Sequence, residues 1–321
     1  MMISNKEGNA FPSLQPPAAF SATPSPRGSA PKTPILIGTS GYEYPEWKGV
    51  FYPNDLKRKD FLSYYASQFN ALELNNTFYN MPTAERLLSF YERSSGLLQF
   101  SIKANRLLTH EIDCNWQAAA ADFLAAVAPL AEKGSLCAVL FQFPQSFHYT
   151  DENRIYLAKL IAQFQGLPVV IEFRHVEWIK ESVLQGLEQR SASLCFCDMP
   201  QLKALPNMVG ERSLCGVVGE RSRSTEGSVE TNERTPFIGP VAYIRLHGRN
   251  ADAWYATDSS PNGSSRYTYD YSDSELAEFV PVIKSAVISS KKPVVFFNNH
   301  PNGSGASNAK KIKELLNNSY D

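Results

Sequence analysis

Ile35-Leu36-Ile37-Gly38-Thr39-Ser40-Gly41-Tyr42-Glu43-Tyr44-Pro45-Glu46-Trp47 is the stretch on which the fold turns. Its apolar first half reads as a short buried strand, and the residues just after that strand separate two architectures. An open doubly wound sheet would place a glycine-rich turn here, so that a pyrophosphate could approach the backbone at a helix start. No G-x-G-x-x-G is present, and Tyr42, Tyr44 and Trp47 are too bulky for that approach. The alternative that keeps a parallel sheet with helices outside it is a barrel closed on itself.

Outward from this segment, short apolar runs alternate with amphipathic ones, the mark of repeated βα units. Strands are expected at Ile35 to Thr39, Ala71 to Asn75, Gln99 to Lys103, Ala138 to Gln142, Val169 to Phe173, Ser193 to Cys197, Val241 to Leu246 and Val294 to Phe297. Helical periodicity marks Lys59 to Gln68, Ala84 to Arg93, Trp116 to Glu132, Glu152 to Phe164, Glu181 to Glu188, Glu275 to Ser289 and Ser307 to Leu316. Eight strands with seven helices give an α/β chain and a single TIM (β/α)8 barrel over residues 34–321. The sixth helix region is the exception. Leu202 to Pro240 has no sustained period and reads as an irregular insertion, solvated rather than RNA-binding because its arginines alternate with glutamates. Residues 1–33, rich in Pro, Ser, Ala and Gly, read as a disordered tail without the apolar core of a secretory signal.

Composition narrows the function classes. A content of 43% hydrophobic and 20% charged residues allows a large core, and a formal charge of −1 disfavours generic coating of nucleic acid. Five cysteines without a CxxC pair suggest neither a disulfide framework nor a zinc ribbon, and Cys195 and Cys197 read as packing on one strand face. No run is apolar enough to cross a membrane, so a soluble cytoplasmic protein is expected.

Strand parity gives the sharpest expectation. In Ala71 to Asn75 and Val169 to Arg174 the leucines, Ile171 and Phe173 belong under helices, which turns Glu73, Asn75, Glu172 and Arg174 inward. Tyr243, Arg245 and His247 face the axis from the seventh strand, with Ser101 and Lys103 on the third, Gln142 on the fourth and Asp198 on the sixth. Glu73, Glu172 and Asp198 then balance Lys103, Arg174 and Arg245 at the strand C-termini, where barrel enzymes carry their sites. Ion pairs that merely filled a barrel would gain little over apolar packing, which favours a site.

Two loops extend the expectation. Asn298-Asn299-His300-Pro301-Asn302-Gly303-Ser304-Gly305 leads into a helix and suits an anion, with Gly248 and Arg249 nearby, although a capped Asn-rich turn explains it equally. Tyr44, Trp47, Phe51 and Tyr52 either plug the barrel end or stack on a sugar or base. His110 and His175 are placed near the mouth and His148 in an ordinary loop. The aromatics of Arg249 to Tyr271, among them Trp254, Tyr255 and Tyr267, are unusual for a passive linker.

The motifs Gly38-Thr39-Ser40-Gly41-Tyr42, Phe51-Tyr52-Pro53, Glu73-Leu74-Asn75-Asn76-Thr77-Phe78-Tyr79, Glu172-Phe173-Arg174-His175, Arg245-Leu246-His247-Gly248 and Phe297-Asn298-Asn299-His300 resemble the YecE-like family, also called domain of unknown function 72. The likeness runs from about Ile35 to Leu316 and departs at Tyr42, commonly Trp in that family, and around Arg221 to Thr235. It implies a TIM barrel and no established reaction.

The residues themselves point to an enzyme performing acid–base chemistry on a small polar or anionic molecule, phosphorylated or sugar-like. Glu73 and Glu172 would be acid and base with His247 as proton shuttle. Tyr44, Trp47, Asn75, Tyr79, Lys103, Gln142, Arg174, His175, Arg245, Asn298, Asn299 and His300 would bind the substrate. One alternative is a nucleic-acid or nucleotide binding barrel. Another is a divalent-metal isomerase or hydrolase using Glu73, Glu172, Asp198 and a histidine; the favoured reading needs no metal or cofactor.

Overall fold

Alternating apolar residues and their expected partners are arranged around a parallel barrel in a computed structural model that describes residues 34–206, 236–255 and 264–319. The expected tail and most of the expected insertion lie outside the described residues. The strand segments are β1 (Leu36–Ser40), β2 (Ala71–Leu74), β3 (Gln99–Lys103), β4 (Leu136–Gln142), β5 (Val169–Glu172), β6 (Ser193–Leu194), β7 (Phe196–Asp198), β8 (Val241–Leu246) and β9 (Lys292–Phe297). All their pairings are parallel, in the order β6-β5-β4-β3-β2-β1-β9-β8-β7.

The two ends of that order are neighbours in sequence. One residue, Cys195, separates β6 from β7; the first pairs with β5 and the second with β8. The nine segments therefore make an eight-strand circuit, with the expected sixth strand broken at Cys195. Strands in a barrel are staggered, so the two halves of a strand can find their best ladders with different neighbours. Cys195 itself stays attached, its N–H donating to the Ile171 carbonyl at 2.8 Å.

Helices α1 (Phe61–Gln68), α2 (Ala84–Arg93), α3 (Trp116–Glu132), α4 (Asp151–Gln163), α5 (Glu181–Gln189) and α6 (Asp273–Ile288) connect the strands, and α7 (Ser304–Asn318) follows β9. The described residues hold no helix between β7 and β8. Caps explain several helix starts. Thr83 and Thr150 accept from backbone N–H groups of α2 and α4, and Ser272 with Glu275 forms a capping box on α6.

Two apolar layers result from period-two alternation. Leu72, Leu74, Ile171, Phe173, Ile244 and Leu246 pack outward against helices, whereas Leu36, Ala71, Leu140, Val170, Cys195, Cys197, Val241 and Phe296 fill the barrel. Gly38 marks the tightest junction. A Cβ there would lie 1.9 Å from the Ala71 carbonyl oxygen and 2.7 Å from the Tyr65 hydroxyl, which bridges α1 to Ala71 O at 2.9 Å.

Candidate binding site at the barrel mouth

The apolar filling stops near the strand C-termini, where a charged layer takes over. Arg245 of β8 is its hub: Nη2 donates to Glu73 Oε1 at 2.7 Å and Nη1 to Glu172 Oε2 at 2.5 Å. Glu73 also receives the Ser40 hydroxyl at 2.6 Å and the Tyr243 hydroxyl at 2.6 Å. Since the Tyr243 O–H is spent on Glu73, Ser101, 2.5 Å away, donates to the tyrosine oxygen. Glu172 takes a second arginine on its other oxygen, Arg174 Nε at 2.5 Å. Both carboxylates are 0% exposed, and the arginines offset the cost of burying them.

Above this layer opens a cavity of about 360 Å³, on the scale of small-metabolite pockets. Lys103, Gln142, Arg174, Arg245 and Asn298 line its depth, while Tyr44, Asn75, Asn76, Phe78, Tyr79, Tyr267 and His300 form the remaining wall. Glu73, Glu172 and His247, expected as catalytic groups, are buried and do not line it. The cations face the opening and the carboxylates lie behind them. A groove of about 480 Å³ between α4 and α5 is larger, but it belongs to the helix layer and receives no strand-end charge.

Electrostatics reflect this layering. Burial alone would push Glu172 upward, but Arg174 and Arg245 hold its carboxyl well below the usual range. Burial, then Arg174 and Arg245, lowers His247 to about 3, so its imidazole is neutral near pH 7. It sits between Arg174 Nη2 at 3.1 Å and Asn298 Nδ2 at 3.0 Å. Lys103 stays partly exposed because it lines the cavity, yet it is deep enough that burial, followed by repulsion from Arg245, lowers it to about 7. Its Nζ donates to Gln142 Oε1 at 2.8 Å and lies 4.5 Å from the Phe78 ring centre. The described residues give it no ion pair within 4.0 Å.

Five residues are placed otherwise than expected by this geometry. Asp198 points away from the barrel axis, accepting from Tyr271 at 2.7 Å and from Arg249 Nε at 3.0 Å. Cys195 and Cys197 occupy the inner face of that strand, and parity then sends Asp198 out. Trp47 is fully buried, donating to the His300 carbonyl, and with Phe51 and Tyr52 it packs on α1 as a plug. Only Tyr44 of that aromatic segment reaches the cavity, stacked on His300 at 4.6 Å. His175 caps a short turn and meets His148 and Glu177 beyond the cavity wall. Asn299 is buried and donates to Asn308, and Arg249 is occupied by Asp198, Glu275 and Glu278, which removes both from any free anion site.

The carboxylate set considered for a metal is likewise not assembled. Arg245 bridges Glu73 and Glu172, and Asp198 is elsewhere. Glu172, Cys197 and His247 do bring donor atoms within 4.8 Å of one another, but Arg174 already engages two of the three. Asn76 and Phe78 were missed as wall residues, since they lie in a turn after a strand where nothing periodic marks them. Tyr267 on the wall and Trp254, which covers Arg174 at 5.6 Å, belong to the loop marked out by its aromatic content, without a role for either residue.

Comparison with known proteins agrees with this architecture. A family model described as "Protein of unknown function DUF72" matches residues 36–321. The UPF0759 protein YunF of Bacillus subtilis (strain 168) is 28% identical over 296 residues, covering 89% of this chain and 96% of that protein. The crystal structure of a DUF72 family protein from Thermotoga maritima is 28% identical with a TM-score of 0.71, covering 88% of this chain and 99% of that one. One from Enterococcus faecalis V583 is 26% identical with a TM-score of 0.69, covering 89% and 97%.

Proposed function

The chain belongs to the DUF72 family, whose description names no reaction, and from the charge layering at its barrel mouth we propose an enzyme that binds a small anionic molecule and moves protons on it with Lys103. The observation that carries this reading is the division of charge: Arg174 and Arg245 match Glu172 and Glu73, whereas Lys103 faces the same cavity with no carboxylate of its own among the described residues. A bound anion would supply the missing counter-charge.

The carboxylates serve this reading as supports. Glu172 is held ionised by two arginines and has no proton to donate near neutrality, and Glu73 has both oxygens occupied. Lys103, lowered to about 7, is populated in both protonation states near neutral pH, which is what a general acid–base group needs. Arg174 and Arg245 would stabilise negative charge developing on the substrate. Tyr44, Asn75 and His300 on the wall offer a stacking face and polar contacts to a phosphorylated or sugar-like molecule.

Thermal unfolding in millimolar inorganic phosphate, a sugar phosphate, a neutral polyol, and sodium chloride of matched ionic strength tests the reading. Phosphorylated compounds should raise the midpoint by several degrees and the polyol should not. Lys103→Met combined with Arg174→Met should abolish the rise. Equal responses to phosphate and chloride would sink it.

A further inference from the structure

Lys103 on the cavity wall differs in kind from the arginines beside it, because it can become a neutral amine and they cannot. Resting on the anion-binding reading above, we propose that Lys103 is a nucleophile that forms a carbinolamine and then an imine with an aldehyde or ketone carrying a phosphate or carboxylate group. The wall supports such a substrate in three ways. Arg174 and Arg245 stay charged beside Lys103 on the same cavity wall, so the anion can sit against this cationic face while the lysine, in its neutral form, meets the carbonyl. Among the described residues the Lys103 ammonium has only the Gln142 amide oxygen and the Phe78 ring as close partners, so its protonated form is poorly compensated. Finally, Asn75 Oδ1 and His300 Nδ1 on the cavity wall have no partner among the described residues, which suits hydroxyl groups next to the carbonyl.

The step balances without an oxidant. The Lys103 lone pair attacks the carbonyl carbon; a C–N bond forms, and the carbonyl oxygen leaves as water with the two protons of the neutral amine. The resulting imine, once protonated, withdraws electrons from the adjacent carbon, so a C–H or C–C bond there can break; hydrolysis then returns the amine. Titration fits the geometry. Arg245 and Arg174 push the lysine pKa down and Glu172 and Glu73 pull it up, while burial decides the direction. His110, on the loop after β3, is itself lowered to about 4 and contributes no charge near neutrality. At pH 7 the neutral fraction of Lys103 would exceed that of an ordinary lysine by about a thousandfold.

Reductive trapping reads this directly. The full chain is incubated with dihydroxyacetone phosphate or with pyruvate, reduced with borohydride, and mapped by peptide mass spectrometry, with phosphate-dependent thermal shift measured on the same preparation. The expected result is an adduct on Lys103 at least about tenfold above any exposed lysine, protected by excess inorganic phosphate. Its formation should level off above pH about 7, whereas surface lysines should keep gaining toward their ordinary 10.5. The two probes distinguish a phosphate-bearing from a carboxylate-bearing substrate. Lys103→Arg should keep the thermal shift and lose the adduct. Adducts spread evenly over lysines, with the thermal shift intact, would overturn the imine and leave anion binding standing; loss of the thermal shift as well would overturn both.

Discussion

Arg245 and Arg249 lie four residues apart, each the centre of an ion-pair cluster, yet the two clusters are built to opposite ends. Arg245 is 1% exposed and clamps Glu73 and Glu172 inside the barrel, beneath a cavity. Arg249 sits outside it, joining Asp198 at the end of β7 to Glu275 and Glu278 of α6, with Tyr271 closing the group. The outer cluster sets one cation against three carboxylates and can share the excess with solvent, since the Glu278 side chain is 55% exposed. The inner cluster sets Lys103, Arg174 and Arg245 against Glu73 and Glu172, so its positive excess faces an enclosed space. An outer staple of this kind fastens a helix; an inner clamp that leaves one cation unmatched among the described residues is the basis of the proposed anion site.

Removing each hub in turn should separate the two clusters most strongly. Arg245→Met leaves fully buried Glu73 without its cation and Glu172 with Arg174 alone, and should cost on the order of 3–5 kcal/mol in urea unfolding. Arg249→Met should cost only about 1 kcal/mol, because its partners retain hydroxyl donors or solvent. Equal losses would mean that the two clusters are the same kind of structure.

Acid titration comes next, because the clusters shift their carboxylates in opposite directions. Glu172 is depressed in the fold, so its stabilisation is complete above the ordinary 4.5 and is lost as pH falls toward the lower folded value. Asp198 is raised above its ordinary 3.8, because burial outweighs Arg249 and Tyr271, so the fold takes up its proton first and gains stability relative to the unfolded chain as pH falls through that window. Unfolding free energies between pH 3 and 7 should therefore show a flatter acid limb for Glu172→Gln and a steeper one for Asp198→Asn. Parallel curves would contradict the assignment.

A smaller effect isolates the unmatched cation. The folded pKa of Lys103 is about 7 against an ordinary 10.5, so protonation favours the unfolded chain, and wild-type stability should rise with pH between those values. Lys103→Met should be at least as stable as wild type at pH 7, with an advantage that shrinks toward pH 10.5, measured by paired thermal melts. The smallest effect concerns protons taken up on binding. Phosphate binding should raise the Lys103 pKa, so calorimetric heats at pH 7.5 should vary with buffer ionisation enthalpy by less than one proton per site.

Much of the inner cluster was legible before the fold was known. Period-two alternation in Ala71 to Leu74, Val169 to Glu172 and Val241 to Leu246 turned Glu73, Glu172 and Arg245 to one axis, and the structure places them in direct contact. The same rule, carried from Cys195 and Cys197, would have turned Asp198 outward; treating it as a strand-end polar residue missed this. Turns gave less. Trp47 and Tyr44 are three residues apart and equally aromatic, but one is buried as part of the plug and the other lines the cavity, a difference set by where the turn at Pro45–Trp47 lands against His300.

Strand count, the layering of apolar faces and the charged side of each strand are written into the order of residues, because they depend on a fixed two-residue repeat. Folding in three dimensions was needed to put the carboxylates behind the arginines, to break the sixth strand at Cys195 and to leave Lys103 without an acidic partner among the described residues. Those outcomes depend on distances between residues up to 172 positions apart, and Coulomb energy and desolvation are functions of separation and burial that no local pattern encodes.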